Sequence, residues 1–208
     1  MRNVQDIHTH NLPIDKGSAI VCIGLESSML SEGHFFSAGL HPWIVTGNDE
    51  DSFLLLDSLL YRHDIVALGE CGLDSVRGPS LDIQEKAFIR QFELSEFHSK
   101  PMLLHVVRSF DRIISLKKSL KPAQKWLIHG FRGGPEQARQ LLGCGFYLSF
   151  GLYARVDTIR ALPESSILAE SDGKCEISEV IERISHALGV DEFVAKSLIE
   201  SNISDFFT

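Results

Sequence analysis

The chain has 208 residues, of which 44% are hydrophobic and 23% charged, values that are ordinary for a globular domain with a full core. Its formal net charge of −8 argues against a broad basic surface that holds nucleic acid electrostatically. Bound divalent ions would still reverse the local sign at a small phosphate site. The four cysteines form no C-x-x-C pair, the amino terminus has no apolar signal core, and no apolar run approaches a membrane span. We therefore expect a cytoplasmic protein with no membrane partner.

Eight short apolar runs predict β-strands, because each has the length of a buried strand and is bounded by polar or turn residues. Runs that are apolar throughout are typical of parallel strands that are covered on both faces. The predicted strands cover residues 4–8, 20–24, 35–39, 65–69, 102–106, 125–129, 146–150 and 167–170.

Segments with a helical spacing of apolar residues separate most of these strands. In the first such segment, Phe53, Leu56 and Leu60 recur at that spacing. Ser80 is a candidate N-cap for the longest segment, and Pro101 ends it because the residue before a proline avoids helical geometry. The predicted helices cover residues 49–62, 81–100, 110–120, 135–142, 177–188 and 191–202.

Strands that alternate with helices indicate an α/β fold, and eight of them predict a compact (β/α)8 TIM-type barrel over residues 1–208 as a single domain. The first βα units are predicted to be shortened, because about a dozen residues separate the first two strands and residues 26–33 allow at most two helical turns. The alternative is an open doubly wound sheet, which the lack of a Gly-rich phosphate-binding loop disfavours.

Side chains of the types that bind metal ions follow the carboxyl ends of five predicted strands. His8 and His10 are two residues apart, so both imidazoles face the same side of a strand and can reach one ion. Since parallel strands gather their carboxyl ends on one face, we expect the set to converge on two ions, with Asp172 also accepting a proton from attacking water. The predicted metal ligands are His8, His10, Glu70, His105, His129 and Asp172.

Other polar residues near the strand ends are predicted to assist the site. Asp6 and Asp74 are expected to hold ligands from behind, and His41 is a candidate catalytic residue that polarises a substrate oxygen. The role of Glu170 stays open. Three arginines trail strand ends and are candidate phosphate-binding residues, although salt bridges in solvent are an equal alternative for each: Arg77, Arg108 and Arg132.

In their order along the chain, these residues resemble the motifs of the TatD family of metal-dependent hydrolases over nearly the whole length. A His followed closely by Arg, as in His105 and Arg108, belongs to this pattern, and the closing N-x-x-x-x-F pattern matches residues 202–207 loosely. The remaining motifs are D-x-H-x-H at residues 6–10, G-[IL]-H-P at 39–42, G-E-x-G-L-D at 69–74, H-x-F-x-G at 129–133 and E-[ST]-D at 170–172.

The resemblance implies a TIM-type barrel with a two-ion site and deoxyribonuclease activity. It implies that one ion is held by His8, His10, Glu70 and Asp172, and the other by Glu70, His105 and His129. The sequence departs from the family pattern in three places. Trp43 stands where the family often has His, Gly173 and Lys174 replace the usual Ala-Pro, and a longer loop after Asp172 is missing.

These features predict a metal-dependent hydrolase, most specifically a phosphodiesterase or deoxyribonuclease that acts on DNA by a two-metal mechanism. Imidazole and carboxylate ligands suit Zn²⁺ or Mn²⁺, and the family resemblance also allows Mg²⁺. One alternative is a two-metal hydrolase of a small phosphoester, an amide or a lactone. Another is a degenerate barrel that binds a partner and catalyses nothing.

Overall fold

The computed structural model describes residues 3–208, and its strands form one eight-stranded sheet in consecutive order. Consecutive order rules out the doubly wound alternative, in which the strand order reverses at a switch point. The main-chain N–H of Asp172, just after the last strand, donates to the His8 carbonyl in the first strand at 3.0 Å, as in a (β/α)8 TIM-type barrel. The strands are β1 (Asp6–Thr9), β2 (Ala19–Cys22), β3 (Phe35–Ala38), β4 (Ile65–Asp74), β5 (Met102–Val107), β6 (Trp126–Ile128), β7 (Phe146–Phe150) and β8 (Ile167–Ala169).

The helices lie between and after these strands, and six of them match the predicted segments within a few residues at each end. Two residues show how the sequence sets these ends: Pro135 occupies the first turn of its helix, and the side chain of Asp191 accepts a hydrogen bond from Phe193 N. The helices are α1 (Glu50–Leu60), α2 (Leu81–His98), α3 (Phe110–Leu120), α4 (Pro135–Gly143), α5 (Val156–Arg160), α6 (Ile177–Leu188) and α7 (Glu192–Phe206).

Two elements differ from the sequence prediction. Helix α5 was not predicted, because five residues are too few to establish a helical period. Strand β4 continues for five residues beyond its predicted end, because its glycines interrupt the apolar pattern without interrupting the strand. The predicted shortening of the first βα units is confirmed, since no helix joins β1 to β2 and only the 3₁₀ turn Ser27–Met29 lies between β2 and β3.

The contacts within the chain divide it into two compact units. Unit 1 contains residues 3–21 and 128–208, and its core includes Ile7, Phe150 and Ile184. Unit 2 contains residues 22–127, and its core includes Phe36 and Phe88. A single domain over the whole length stays a prediction. None of the helices in residues 3–208 combines the length and the apolar character that a membrane crossing requires.

In each unit, one residue illustrates how the sequence fixes the backbone. In unit 2, Gly72 has a φ of 142°, and a Cβ there would lie 2.1 Å from the carbonyl oxygen of His105. Glycine therefore lets β4 pack against β5. In unit 1, the buried Asn202 of α7 donates to the carbonyls of Glu164 at 2.7 Å and Ile167 at 2.9 Å, so α7 is tied to the start of β8.

Candidate metal centre

The first cluster of ligand-type side chains lies in unit 1, at the carboxyl ends of β1, β6 and β8, and consists of His8, His10, His129, Glu170 and Asp172. The Nε2 atoms of His8 and His10 are 3.7 and 3.5 Å from the same atom, Oδ1 of Asp172. His8 is fully buried, whereas about half of the His10 side chain is exposed. Ligand atoms of these three residues all lie within 4.8 Å of one another, so they can surround one divalent ion.

A second ligand set in the first cluster comprises His129, Glu170 and Asp172. Nδ1 of His129 is 3.5 Å from Oε1 of Glu170, and the rings of His8 and His129 have centroids 4.3 Å apart. The Ser149 hydroxyl donates to Oε2 of Glu170 at 2.6 Å. Burial alone would raise the pKa of Glu170, but His129, His8 and Ser149 together lower it, so this buried group is a carboxylate.

Asp172 belongs to both ligand sets of the first cluster. Its φ is 53°, a left-handed conformation that is uncommon for residues other than glycine and that occurs at functional sites. Burial would raise the pKa of Asp172, but hydrogen bonds from His10, His8 and Lys174 hold it well below its ordinary range. The Lys174 ammonium forms an ion pair with Oδ2 of Asp172. Asp172 is therefore ionised at neutral pH.

Asp6 holds the backbone on both sides of the first cluster. Its Oδ1 accepts hydrogen bonds from the main-chain N–H of His8 at 3.2 Å and of Ser171 at 3.0 Å. Burial raises the pKa of Asp6 to about 7, against the lowering effect of the hydrogen bonds from Ser171. The Ser171 hydroxyl also donates to the Thr9 hydroxyl at 3.0 Å, a further contact that joins the end of β1 to the segment after β8.

The second cluster lies in unit 2 and consists of His41, Glu70, Asp74 and His105. Oε1 of Glu70 is 2.8 Å from Nδ1 of His105 and 3.2 Å from Nε2 of His41. These three residues form a further set whose ligand atoms lie within 4.8 Å of one another. The remaining nitrogen of His105, Nε2, is 3.1 Å from Oδ2 of Asp74. His105 therefore lies between two carboxylates, one on each ring nitrogen.

Asp74 ends β4 and also forms the turn that follows it. Its Oδ1 accepts from the main-chain N–H of Val76 at 2.7 Å and of Arg77 at 3.1 Å. Burial would raise the pKa of Asp74, but hydrogen bonds from Trp43, from the Val76 N–H and from His105 lower it. Both carboxylate oxygens are engaged, one by the turn and the other by side chains.

Two buried glutamines on α2 support the loops of the second cluster, and the sequence reasoning missed both. Gln84 accepts from the main-chain N–H of Asp74 at 2.7 Å, and its Nε2 donates to the Asp74 carbonyl at 2.9 Å. Gln91 accepts from the N–H of Leu40 at 2.8 Å and donates to its carbonyl at 3.1 Å, next to His41. Their signal in the sequence is a spacing of seven, which places two amides on the apolar face of one helix.

The three predicted phosphate-binding arginines are all exposed, and two of them rest on aromatic rings. Cζ of Arg77 is 3.7 Å from the centroid of the Trp43 ring, and Cζ of Arg132 is 4.9 Å from that of Tyr153. Arg108 follows β5 with a left-handed φ of 48°. Beside the first cluster, a small cavity in unit 1 is lined by residues that include Arg132, Tyr153, Glu170, Asp172 and Lys174.

The predicted site residues thus fall into two groups, each assembled within its own unit. The structure brings His8, His10, His129 and Asp172 together in the first cluster, and Glu70 and His105 together in the second. Three residues in contact with them had no assigned role in the sequence reasoning: Glu170, Trp43 and Lys174. Glu170 could have been identified by its spacing of two from Asp172, since alternate residues of an extended segment face the same side.

A comparison with models of protein families identifies the family of this chain. The model described as TatD related DNase matches residues 23–208. The chain belongs to this family. His8 and His10 precede the matched range, so the assignment rests on the rest of the chain.

Individual relatives of this TatD-family chain agree with that assignment. The uncharacterized metal-dependent hydrolase YjjV of Escherichia coli is 29% identical over 148 residues, which is 66% of this chain and 57% of that protein. The 3'-5' ssDNA/RNA exonuclease TatD of Cronobacter sakazakii is 30% identical over 152 residues, 68% of this chain and 57% of that protein. The chain thus spans less than two thirds of the length of either relative.

A solved structure shows the same fold. The crystal structure of YjjV, a TatD homolog from Escherichia coli, superposes with a TM-score of 0.82 and 19% sequence identity, and covers 98% of this chain and 96% of that chain. This likeness shows the (β/α)8 fold, and the chemistry of the site must be argued from its own residues.

Proposed function

We propose that this chain is a metal-dependent hydrolase that cleaves phosphodiester bonds in DNA by a two-metal mechanism, with one divalent ion at each cluster. The observation that carries the proposal is the presence, in each unit, of imidazole and carboxylate groups close enough together to hold one ion. Membership of the TatD related DNase family supports it, as does the name of the ssDNA/RNA exonuclease among the relatives.

The donor set fits divalent ions. His8, His10 and Asp172 are the proposed ligands of one ion, with His129 and Glu170 as further ligands in unit 1, and Glu70 and His105 are the proposed ligands of the other. Mixed nitrogen and oxygen donors suit Zn²⁺ or Mn²⁺, while family membership also supports Mg²⁺. When bound, such ions supply Lewis acidity to phosphoryl oxygens and lower the pKa of an attacking water.

The residues of the chain have separate tasks in this proposal. Asp172 accepts the proton that the attacking water loses, because its carboxylate lies among the proposed ligands beside His8 and His10. His41 orients a substrate oxygen from its place beside Glu70. The exposed guanidinium groups of Arg77, Arg108 and Arg132 bind phosphate oxygens. Aromatic rings hold two of these groups in place, those of Arg77 and Arg132.

A small phosphoester is the second candidate substrate, and two observations favour it. The net charge of −8 disfavours tight binding of a long polyanion. The cavity that Asp172 helps to line is small, and Arg132 and Lys174 in its lining supply positive charge for one anionic group. A cytoplasmic location stays a prediction.

The decisive experiment measures hydrolysis of four substrates with Mn²⁺, Zn²⁺ or Mg²⁺. These are a single-stranded oligodeoxynucleotide, its duplex, p-nitrophenyl phosphate and a lactone. Asp172→Asn is the inactive reference, and Arg90→Gln, an exposed arginine on α2 that pairs with Glu93, is the matched control.

Cleavage of the oligonucleotide that requires metal and is lost in Asp172→Asn supports the proposal. Cleavage of p-nitrophenyl phosphate alone favours the small-substrate hydrolase. Binding of less than one ion per chain after metal loading, with no turnover, would leave only the non-catalytic barrel.

A further inference from the structure

Trp43 lies in the loop after β3 and uses both its polar atom and its ring within unit 2. Although 38% of the residue is exposed, its indole Nε1 donates to Oδ2 of Asp74 at 2.6 Å. The ring also packs edge-on against His41 and His105, with centroid distances of 4.5 and 5.4 Å. An exposed tryptophan held by a short hydrogen bond and two ring contacts has a defined position, so its task is to be sought among those partners.

The hydrogen bond from Trp43 fixes the direction of the next contact. An indole N–H only donates, so Oδ2 of Asp74 must accept from it. The same oxygen lies 3.1 Å from Nε2 of His105, and an oxygen that accepts from the indole is suited to accept from that N–H as well. When Nε2 carries the proton, the other ring nitrogen, Nδ1, is unprotonated and faces Oε1 of Glu70, which is 2.8 Å away. That nitrogen then presents the lone pair that a metal ion needs.

The second role of Trp43 concerns the substrate. The Arg77 guanidinium lies over the indole ring at 3.7 Å, a cation–π distance, and the Arg77 main-chain N–H is bonded to the other oxygen of Asp74. A long, exposed side chain is costly to immobilise, and the ring offsets that cost before any substrate arrives. Trp43 and Asp74 therefore hold Arg77 at both its backbone and its charged end.

We propose that Trp43 is a positioning residue with two separable tasks: its N–H sets the His105–Asp74 pair for ion binding, and its ring holds the Arg77 cation for an anionic group of the substrate. This inference rests on the proposed function, because it presupposes that the second cluster binds an ion. It adds that one neutral side chain serves both the ion-binding residues and the substrate-binding arginine.

Three variants separate the two tasks. Trp43→Phe keeps an aromatic face but removes the N–H, so Mn²⁺ should bind about 10-fold more weakly at one of the two ion sites. Trp43→His restores a ring N–H at the same position relative to Cγ, and should recover the Mn²⁺ affinity with the ion count of the wild type. Arg77→Gln keeps the indole–carboxylate bond, so it should raise KM several-fold and leave the Mn²⁺ affinity unchanged. Arg90→Gln is the matched control for the loss of an exposed arginine.

The experiment titrates metal-free full-length protein with Mn²⁺ in a calorimeter and measures kcat and KM separately on the substrate that the wild type cleaves. Weaker Mn²⁺ binding in Trp43→Phe, with recovery in Trp43→His and a KM effect confined to Arg77→Gln, supports the inference. Wild-type Mn²⁺ affinity in Trp43→Phe overturns it while leaving the hydrolase proposal intact. Failure of the wild type to bind Mn²⁺, Zn²⁺ or Mg²⁺ overturns both.

Discussion

The two clusters use the same kinds of ligand but are held in place by different kinds of group. In the first cluster the supporting contacts include two ionisable side chains, with Asp6 on the backbone and Lys174 on Asp172. In the second they come mainly from neutral donors, the amides of Gln84 and Gln91 and the indole of Trp43. The protonation of ionisable supports changes with pH, whereas neutral supports change only with packing, so the two clusters depend on different kinds of contact.

The largest expected effect is the loss of one imidazole from either cluster. His129→Ala in unit 1 and His105→Ala in unit 2 should each remove one bound ion and lower turnover on the order of 10³-fold, since a catalytic ion contributes several kcal/mol to the transition state. Elemental analysis and kinetics on metal-loaded protein measure both effects. His186→Ala, an exposed histidine of α6, is the control. Wild-type turnover in both variants at saturating metal would contradict the two-metal proposal.

A second prediction concerns the backbone under the second cluster. Gly72→Ala should destabilise the protein by about 3 kcal/mol, because the new Cβ meets the His105 carbonyl and the positive φ disfavours a side chain. Urea unfolding measures the change. Gly143→Ala is the matched control in unit 1, because it is helical and its Cβ would meet nothing within 4 Å. That variant should be as stable as the wild type or slightly more so, and an equal loss in both would refute the packing argument.

The buried amides provide a third comparison between the units. Gln84→Ala in unit 2 and Asn202→Ala in unit 1 each leave buried backbone groups without a partner, so each should cost about 2 kcal/mol of unfolding free energy. Only Gln84→Ala should also weaken Mn²⁺ binding, because Gln84 holds Asp74 whereas Asn202 holds the start of β8. Equal Mn²⁺ affinities in the two variants would remove the proposed role of Gln84.

The smallest effect is a pH dependence at the start of α1. Partial burial would raise the pKa of Asp49, but hydrogen bonds from Thr46 and from the Gly47 N–H lower it below its ordinary value of 3.8. A group whose pKa is lower in the folded state stabilises the protein above its unfolded pKa, and that contribution is lost as the pH falls through the folded pKa.

The Asp49 contribution should therefore be full at pH 7 and vanish in strong acid. The melting temperature of Asp49→Asn should lie below that of the wild type at pH 7, and the gap should close below about pH 4. Asp191→Asn at the start of α7 should change less, because the Asp191 side chain accepts from the main-chain N–H of Phe193, whereas Asp49 accepts from Thr46 and Gly47 together. A gap of the same size at pH 7 and at pH 2 would contradict a charge effect.

Much of the fold could be predicted from the sequence, because strand-length apolar runs and helical spacing are local properties. All eight strands were predicted, and the candidate ligand residues were identified because they lie at or just after the carboxyl ends of apolar runs, as His105 and Asp172 do. Helix α5 escaped because it is too short to show a period.

The residues that support the clusters escaped for a different reason. In the sequence, Gln84 and Gln91 look like ordinary helix residues and Trp43 looks like an ordinary loop residue. Their roles become visible only in the folded chain, where the loops that they contact lie beside them. Their roles depend on contacts across 10 to 51 positions of the chain, which no local pattern records.

Unit 1 is assembled from two separate stretches of the chain, and this has a consequence during synthesis on the ribosome. Residues 22–127, which form unit 2, are synthesised as one continuous stretch, so all partners within that unit are present once the stretch has emerged. Asp6 and its neighbours His8 and His10 must wait for Ser171, which is 165 positions later. At translation speeds of about 5–20 residues per second, that interval lasts roughly 10 to 30 seconds. The nascent chain therefore carries its histidine pair without Asp172, and under the proposed function an ion can meet all three of these ligands only after Asp172 has emerged.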